Sequence, residues 1–140
     1  MLFKSIATAG KFDHLSNIDI MFLEYARSSG DDLVVILYND YRVDHGRTMR
    51  GLRENGRAEQ LEALDCVDSV IISSHGQAFR SVPYTKHEED DLSVEYELEQ
   101  LRPHLFISSS QKILKHNDEA LERLKIQTQF VMMEEYNPKC

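Results

Sequence analysis

The sequence predicts an α/β fold: one domain built on a doubly wound, five-stranded parallel sheet. Three observations carry this. Short apolar runs recur at 5–9, 33–38, 70–73, 105–108 and 130–133 and read as buried strands. Segments with apolar residues at helical spacing lie between them. The length, 140 residues without an internal repeat, suits one domain with a sizeable core. Strands that alternate with helices imply a parallel sheet covered on both faces, a Rossmann-like arrangement. Strand 5–9 is expected at its centre and the strand order is expected to be 3-2-1-4-5.

The first helix is expected from Asn17 to about Ser29, turning Ile18, Phe22, Tyr25 and Ala26 toward the sheet, with Gly30 as its stop. The second, 55–64, turns Ala58, Leu61 and Leu64 inward. The third, 88–102, carries Val94, Leu98 and Leu101 on one face and ends at Pro103. Asn117 is read as the cap of a fourth helix that buries Ala120, Leu121 and Leu124.

With 41% hydrophobic and 29% charged residues the composition is that of an ordinary globular chain. Sixteen basic residues against 24 acidic ones give a net charge of −8, which argues against nucleic acid or an acidic membrane surface as partner. No apolar run is long enough to span a bilayer. Met1-Leu2-Phe3-Lys4 lacks the pattern of a signal peptide. Cys66 and Cys140 form no metal or redox spacing, so a reducing cytoplasm is the expected location and Cys66 is expected in the core.

Function is expected at the carboxyl edge of the sheet, where the loop after the first strand meets a helix N-terminus. That loop reads Gly10-Lys11-Phe12-Asp13-His14-Leu15-Ser16-Asn17-Ile18-Asp19. Ser16-Asn17-Ile18-Asp19 fits a capping box: Ser16 accepts from a first-turn amide and Asp19 reaches back while complementing the helix dipole. Lys11 and His14 are candidate cationic donors, and equally ordinary solvated loop residues.

The same stretch resembles the GxFDxxHxGH loop of the cytidylyltransferase-like nucleotidyltransferases, the group that includes glycerol-3-phosphate cytidylyltransferase and heptose-phosphate adenylyltransferase. The similarity continues through Leu23, Ala26, Gly30-Asp31, strand 33–37 and Asn39-Asp40. It resumes at Arg57-Ala58, Leu61, Ala63-Leu64 and Val67-Asp68-Ser69-Val70-Ile71. The resemblance implies that residues 1–140 are a single nucleotidyltransferase-like domain. It also implies a ligand site that includes Gly10, Lys11, Phe12, Asp13, His14, Ser16, Asp19 and, before the second helix, Arg57, with Arg47 placed loosely against a basic loop residue. The motif is degenerate: Ser16 stands for its first histidine, Ile18 for its glycine and Asp19 for its second histidine. In the family those histidines meet the nucleotide's phosphates, and a carboxylate there would repel them. The resemblance also leads one to expect a Ser-Thr-Thr-like motif after the last strand, where this sequence reads Asn137-Pro138-Lys139-Cys140.

Two charge blocks remain. Arg42, Arg47, Arg50, Arg53 and Arg57 follow the second strand and read either as a phosphate clamp or as a solubilising loop. Glu88, Glu89, Asp90, Asp91, Glu95, Glu97 and Glu99 read as a solvated face or a surface for a basic partner, such as the arginine block of a second subunit in a homodimer. His87 with Asp91 is the one metal-ligand pair there, and no metal site is assigned. His75-Gly76 and Ser108-Ser109-Ser110 follow the third and fourth strands, where they can face the cleft.

Three functions fit. The first is a catalytically impaired protein of nucleotidyltransferase fold that binds a nucleotide, CTP or ATP, or a phosphorylated metabolite. The second is an active cytidylyl- or adenylyltransferase that moves a nucleoside monophosphate to a small phosphorylated acceptor, with Mg2+ expected only in this case. The third is a non-enzymatic interaction or regulatory domain.

Overall fold

The computed structural model describes residues 3–39, 53–73 and 92–132. In chain order it contains β1 (Phe3–Gly10), α1 (Asn17–Ser28), β2 (Gly30–Leu37), α2 (Glu54–Glu62), β3 (Ser69–Ile72), α3 (Glu95–Leu101), β4 (Leu105–Ser108), α4 (Gln111–Arg123) and β5 (Gln127–Phe130). The five strands form one sheet in the order β3-β2-β1-β4-β5, and each described pairing is parallel. The predicted sheet and strand order are therefore correct.

Alternation along the strands divides the core into two layers, because successive side chains of a strand leave opposite faces. Ile6, Leu33, Val35, Leu37, Leu105 and Ile107 pack with Phe22, Leu23 and Ala26 of α1 and with Ala58 and Leu61 of α2. Their neighbours Ala7, Ala9, Ile36 and Phe106 pack on the other face with Leu98 of α3 and with Ile113 and Leu121 of α4. β1 is buried from Ile6 to Gly10 because it feeds both layers. Each fully buried Leu or Ile contributes about 1.5–3 kcal/mol relative to exposure, and the two layers together hold the sheet edge that carries the site.

Several element boundaries differ from the sequence expectation. Ser29 caps α1, and Gly30 opens β2 rather than ending the helix. At the Phe3–Gly30 register position a Cβ on Gly30 would stand 2.1 Å from the Phe3 carbonyl oxygen, so packing between strands demands the glycine. Tyr25 is exposed, and Leu23 takes its place against the sheet; the Tyr25 hydroxyl accepts from Gln129 Nε2 at 2.9 Å.

The third helix begins at Glu95, with Leu92 to Val94 outside it. Asn117 is no cap. It lies inside α4, 1% exposed, and the cap is Ser110, whose side chain accepts from the Ile113 amide. Asn117 Oδ1 accepts from the Val94 amide at 2.8 Å, while its Nδ2 donates to the carbonyls of Leu92 and Ile113. Tyr38 Oη also donates to the Leu92 carbonyl, at 2.6 Å. Residues 92–94 are thus tied down by polar side chains from β2's end and α4, a use of asparagine that its local sequence does not reveal.

β5 covers Gln127 to Phe130 instead of the apolar run 130–133. It is an edge strand with mostly exposed side chains, so it lacks the apolar signature of the interior strands. Cys66 is half-buried against the α1/α2 layer. Burial, followed by the nearby carboxylates of Glu24, Asp65 and Asp68, pushes its thiol pKa up, with a backbone hydrogen bond opposing.

Candidate functional site

β1 and β4 deliver their last residues to the same edge of the sheet, and the loop after β1 closes over it. The result is a small cleft of about 150 Å³, lined by Thr8, Gly10, Lys11, Phe12, Asp13, Asp19 and the Ser108-Ser109-Ser110 turn, among others.

The loop is shaped by two local constraints. Phe12 adopts a left-handed backbone conformation (φ 44°), uncommon for a bulky residue. Its ring folds back on the chain so closely that a Cβ on Gly10 would lie 2.7 Å from Phe12 Cε2. Gly10 is therefore the residue that lets the phenyl ring fill the inside of the turn.

α1 begins with the predicted capping box. The Asp19 amide donates to Ser16 Oγ at 3.2 Å, and Asp19 Oδ2 accepts from the Ser16 amide at 3.0 Å and from Ser16 Oγ at 3.1 Å. A carboxylate of the chain itself thus sits at the helix N-terminus, the position at which a helix otherwise favours an external anion.

Behind the loop lies Arg57. The residue is 1% exposed in α2, and its Nη1 donates to the Lys11 carbonyl at 2.5 Å. It touches the loop from the inside and is not among the cleft-lining residues. Lys11 and Asp13 are exposed on the cleft rim. His14 and Ser16 are exposed beside the rim and outside the lining. Arg47 lies outside the described residues, as do Arg42, Arg50, His75-Gly76, His87, 88–91 and Cys140.

Of the acidic block, Glu99 and Glu95 face α4, where Arg123 Nη2 meets them at 2.6 and 3.6 Å. Glu97 is buried.

Thr8 was not singled out by sequence reasoning. Its side chain is fully buried, lines the cleft, and its Oγ1 makes no hydrogen bond among the described residues. A β-branched residue in a buried strand reads as an ordinary strand former; only the geometry shows a hydroxyl left without a partner where one is normally supplied. Ser108, at the end of β4, is occupied: its Oγ donates to the Ser110 carbonyl and accepts from the Ser110 amide.

Among the described residues the cleft thus offers hydroxyls, one lysine and two carboxylates. Among the described residues no three His, Cys, Asp or Glu side chains gather as a metal-binding set, and no helix is long and apolar enough to cross a membrane.

No protein-family model matches the chain. It is 41% identical over 68 residues to an FAD synthase of Thermococcus sibiricus, a match covering 48% of this chain and 46% of that protein. It is 39% identical over 74 residues to the bifunctional protein HldE of Citrifermentans bemidjiense, covering 49% of this chain and 15% of that one. The chain spans about half the length of the FAD synthases it matches. A solved lipopolysaccharide core biosynthesis protein from Thermoplasma volcanium superposes with a TM-score of 0.68 at 20% identity, over 96% of this chain and 99% of that one, which shows a shared fold. In sequence and in fold, this chain resembles the cytidylyltransferase-like nucleotidyltransferases.

Proposed function

We propose that the protein binds a nucleotide or a phosphorylated metabolite in the cleft between β1 and β4, and that its capacity for nucleotidyl transfer is impaired. The observation that carries this reading is the Asp19 carboxylate, held on the Ser16 amide and hydroxyl at the start of α1. By family resemblance, Ser16 and Asp19 stand where two histidines contact phosphates. Removing one preorganised donor of that kind commonly lowers turnover ~100- to 1,000-fold, and here two are replaced, one by a like charge. Binding has other support: the rim carries Lys11, and Thr8 stands in the cleft lining with a hydroxyl that has no hydrogen-bond partner among the described residues.

A second reading, an active cytidylyl- or adenylyltransferase, is favoured by the enzymatic names of the relatives. Magnesium belongs to that reading only. Asp13 and Asp19 are the carboxylates on the cleft among the described residues, and Asp19 is engaged with Ser16, so these residues do not make a metal cage and no step is assigned to the ion.

The deciding experiment is pyrophosphate release from CTP or ATP with magnesium and glycerol 3-phosphate or heptose 1-phosphate. The proposal expects little or none. Turnover on the order of 1 per second, within the ordinary enzyme range, would establish the active reading instead.

A further inference from the structure

At the opposite end of the sheet the chain builds a second recess, and we propose that it binds a small organic polyphosphate. It has a volume of about 580 Å³ and is lined by Phe3, Lys4, Arg102, Pro103, His104, Leu124, Lys125, Ile126 and Gln127. These residues open β1 and immediately precede or open β4 and β5, so the recess sits at the amino edge, roughly 20 Å along β1 from the cleft at ~3.3 Å per residue.

Its charge is opposite to that of the molecule. Lys4, Arg102 and Lys125 line it together with His104, and among the described residues no carboxylate does, in a chain of net charge −8. Among the described residues none of the three cations forms an ion pair. Ser5 Oγ accepts from the His104 amide at 3.2 Å and meets His104 Nδ1 at 3.0 Å. The hydroxyl donates to Nδ1 in one tautomer of the ring and accepts from it in the other, and in either case the contact orients the imidazole at the recess. Pro103, Leu124 and Ile126 supply a buried apolar floor.

Two of the cations stand on costly backbone. Arg102 (φ 46°) and Lys125 (φ 58°) are left-handed residues at the ends of α3 and α4, where glycine is the usual choice. Basic side chains near helix C-termini also complement the helix dipole, and that is the competing structural account. It does not explain Lys4, which belongs to a strand and lines the same recess.

The test uses ADP and inorganic pyrophosphate as probes, with calorimetry for affinity and amide chemical shifts for location. Both probes are expected to shift the amides of Lys4, His104 and Gln127, with ADP the tighter because of the apolar floor. Shifts at Gly10 and Asp13 would report the cleft separately, so either site can fail alone. Arg102→Gly with Lys125→Gly relieves both left-handed positions; it is expected to leave the thermal midpoint unchanged or raised while weakening both probes roughly tenfold or more. Lys4→Ala, remote from both helix ends, is expected to weaken them as well. Absence of shifts at the recess at millimolar probe, or recess binding unaltered in these variants, overturns the proposal.

Discussion

Arg57 Nη1 donates to the carbonyl oxygen of Lys11 at 2.5 Å, from a side chain that is 1% exposed. A guanidinium from the second βαβ unit therefore fixes the loop that follows the first strand, joining two segments 46 residues apart. In the sequence this arginine belongs to a run that reads either as a phosphate clamp or as a solubilising loop. In the structure its first effect is on loop geometry, through which it would act on any bound ligand.

Arg57→Ala is expected to destabilise the fold by about 1–3 kcal/mol, because it strands the Lys11 carbonyl and removes a buried side chain. Urea unfolding measures this. An unchanged midpoint would show that the loop holds its shape without the bond.

Thr8→Val separates structure from function. The Thr8 hydroxyl is buried without a hydrogen bond among the described residues, so replacing it is expected to leave stability unchanged or raise it by about 1 kcal/mol. Ligand affinity at the cleft is expected to fall several-fold, of the order of one lost hydrogen bond. A loss of stability with unaltered binding would make Thr8 a structural residue only.

Cys66 gives a pH dependence whose sign follows from burial. Its folded pKa is raised above the ordinary value of 9.0, chiefly by desolvation and then by neighbouring carboxylates. The fold therefore favours the neutral thiol. This contribution is complete below the unfolded pKa and is lost as pH rises through the folded one. Wild type should lose stability relative to Cys66→Ala as the pH is raised from 8 to above 9. Parallel stability curves for the two proteins would contradict it.

The sheet was legible because Ile6, Leu33, Val35, Leu105 and Ile107 lie in apolar runs, and runs report burial on both faces. The capping box was legible because Ser16 and Asp19 interact locally, three residues apart. β5 was misplaced by three residues since an edge strand needs no apolar run. Asn117 looked like a cap, yet its partners Leu92 and Val94 lie 25 and 23 residues away, where no local pattern records them. Arg57 and Thr8 share that difficulty: the burial of a cation and the isolation of a hydroxyl are properties of the assembled edge.

The central claim is that Asp19 holds the helix N-terminus against phosphate. It is tested most directly by calorimetric titration of CTP and ATP into wild type and Asp19→His, with folding checked for each. Exchanging the carboxylate for a donor is expected to tighten nucleotide binding by roughly tenfold or more, the equivalent of about 1.5–3 kcal/mol for a charged hydrogen bond. Equal affinities in two folded proteins, or weaker binding in the variant, would contradict the account and remove Asp19 from the ligand site.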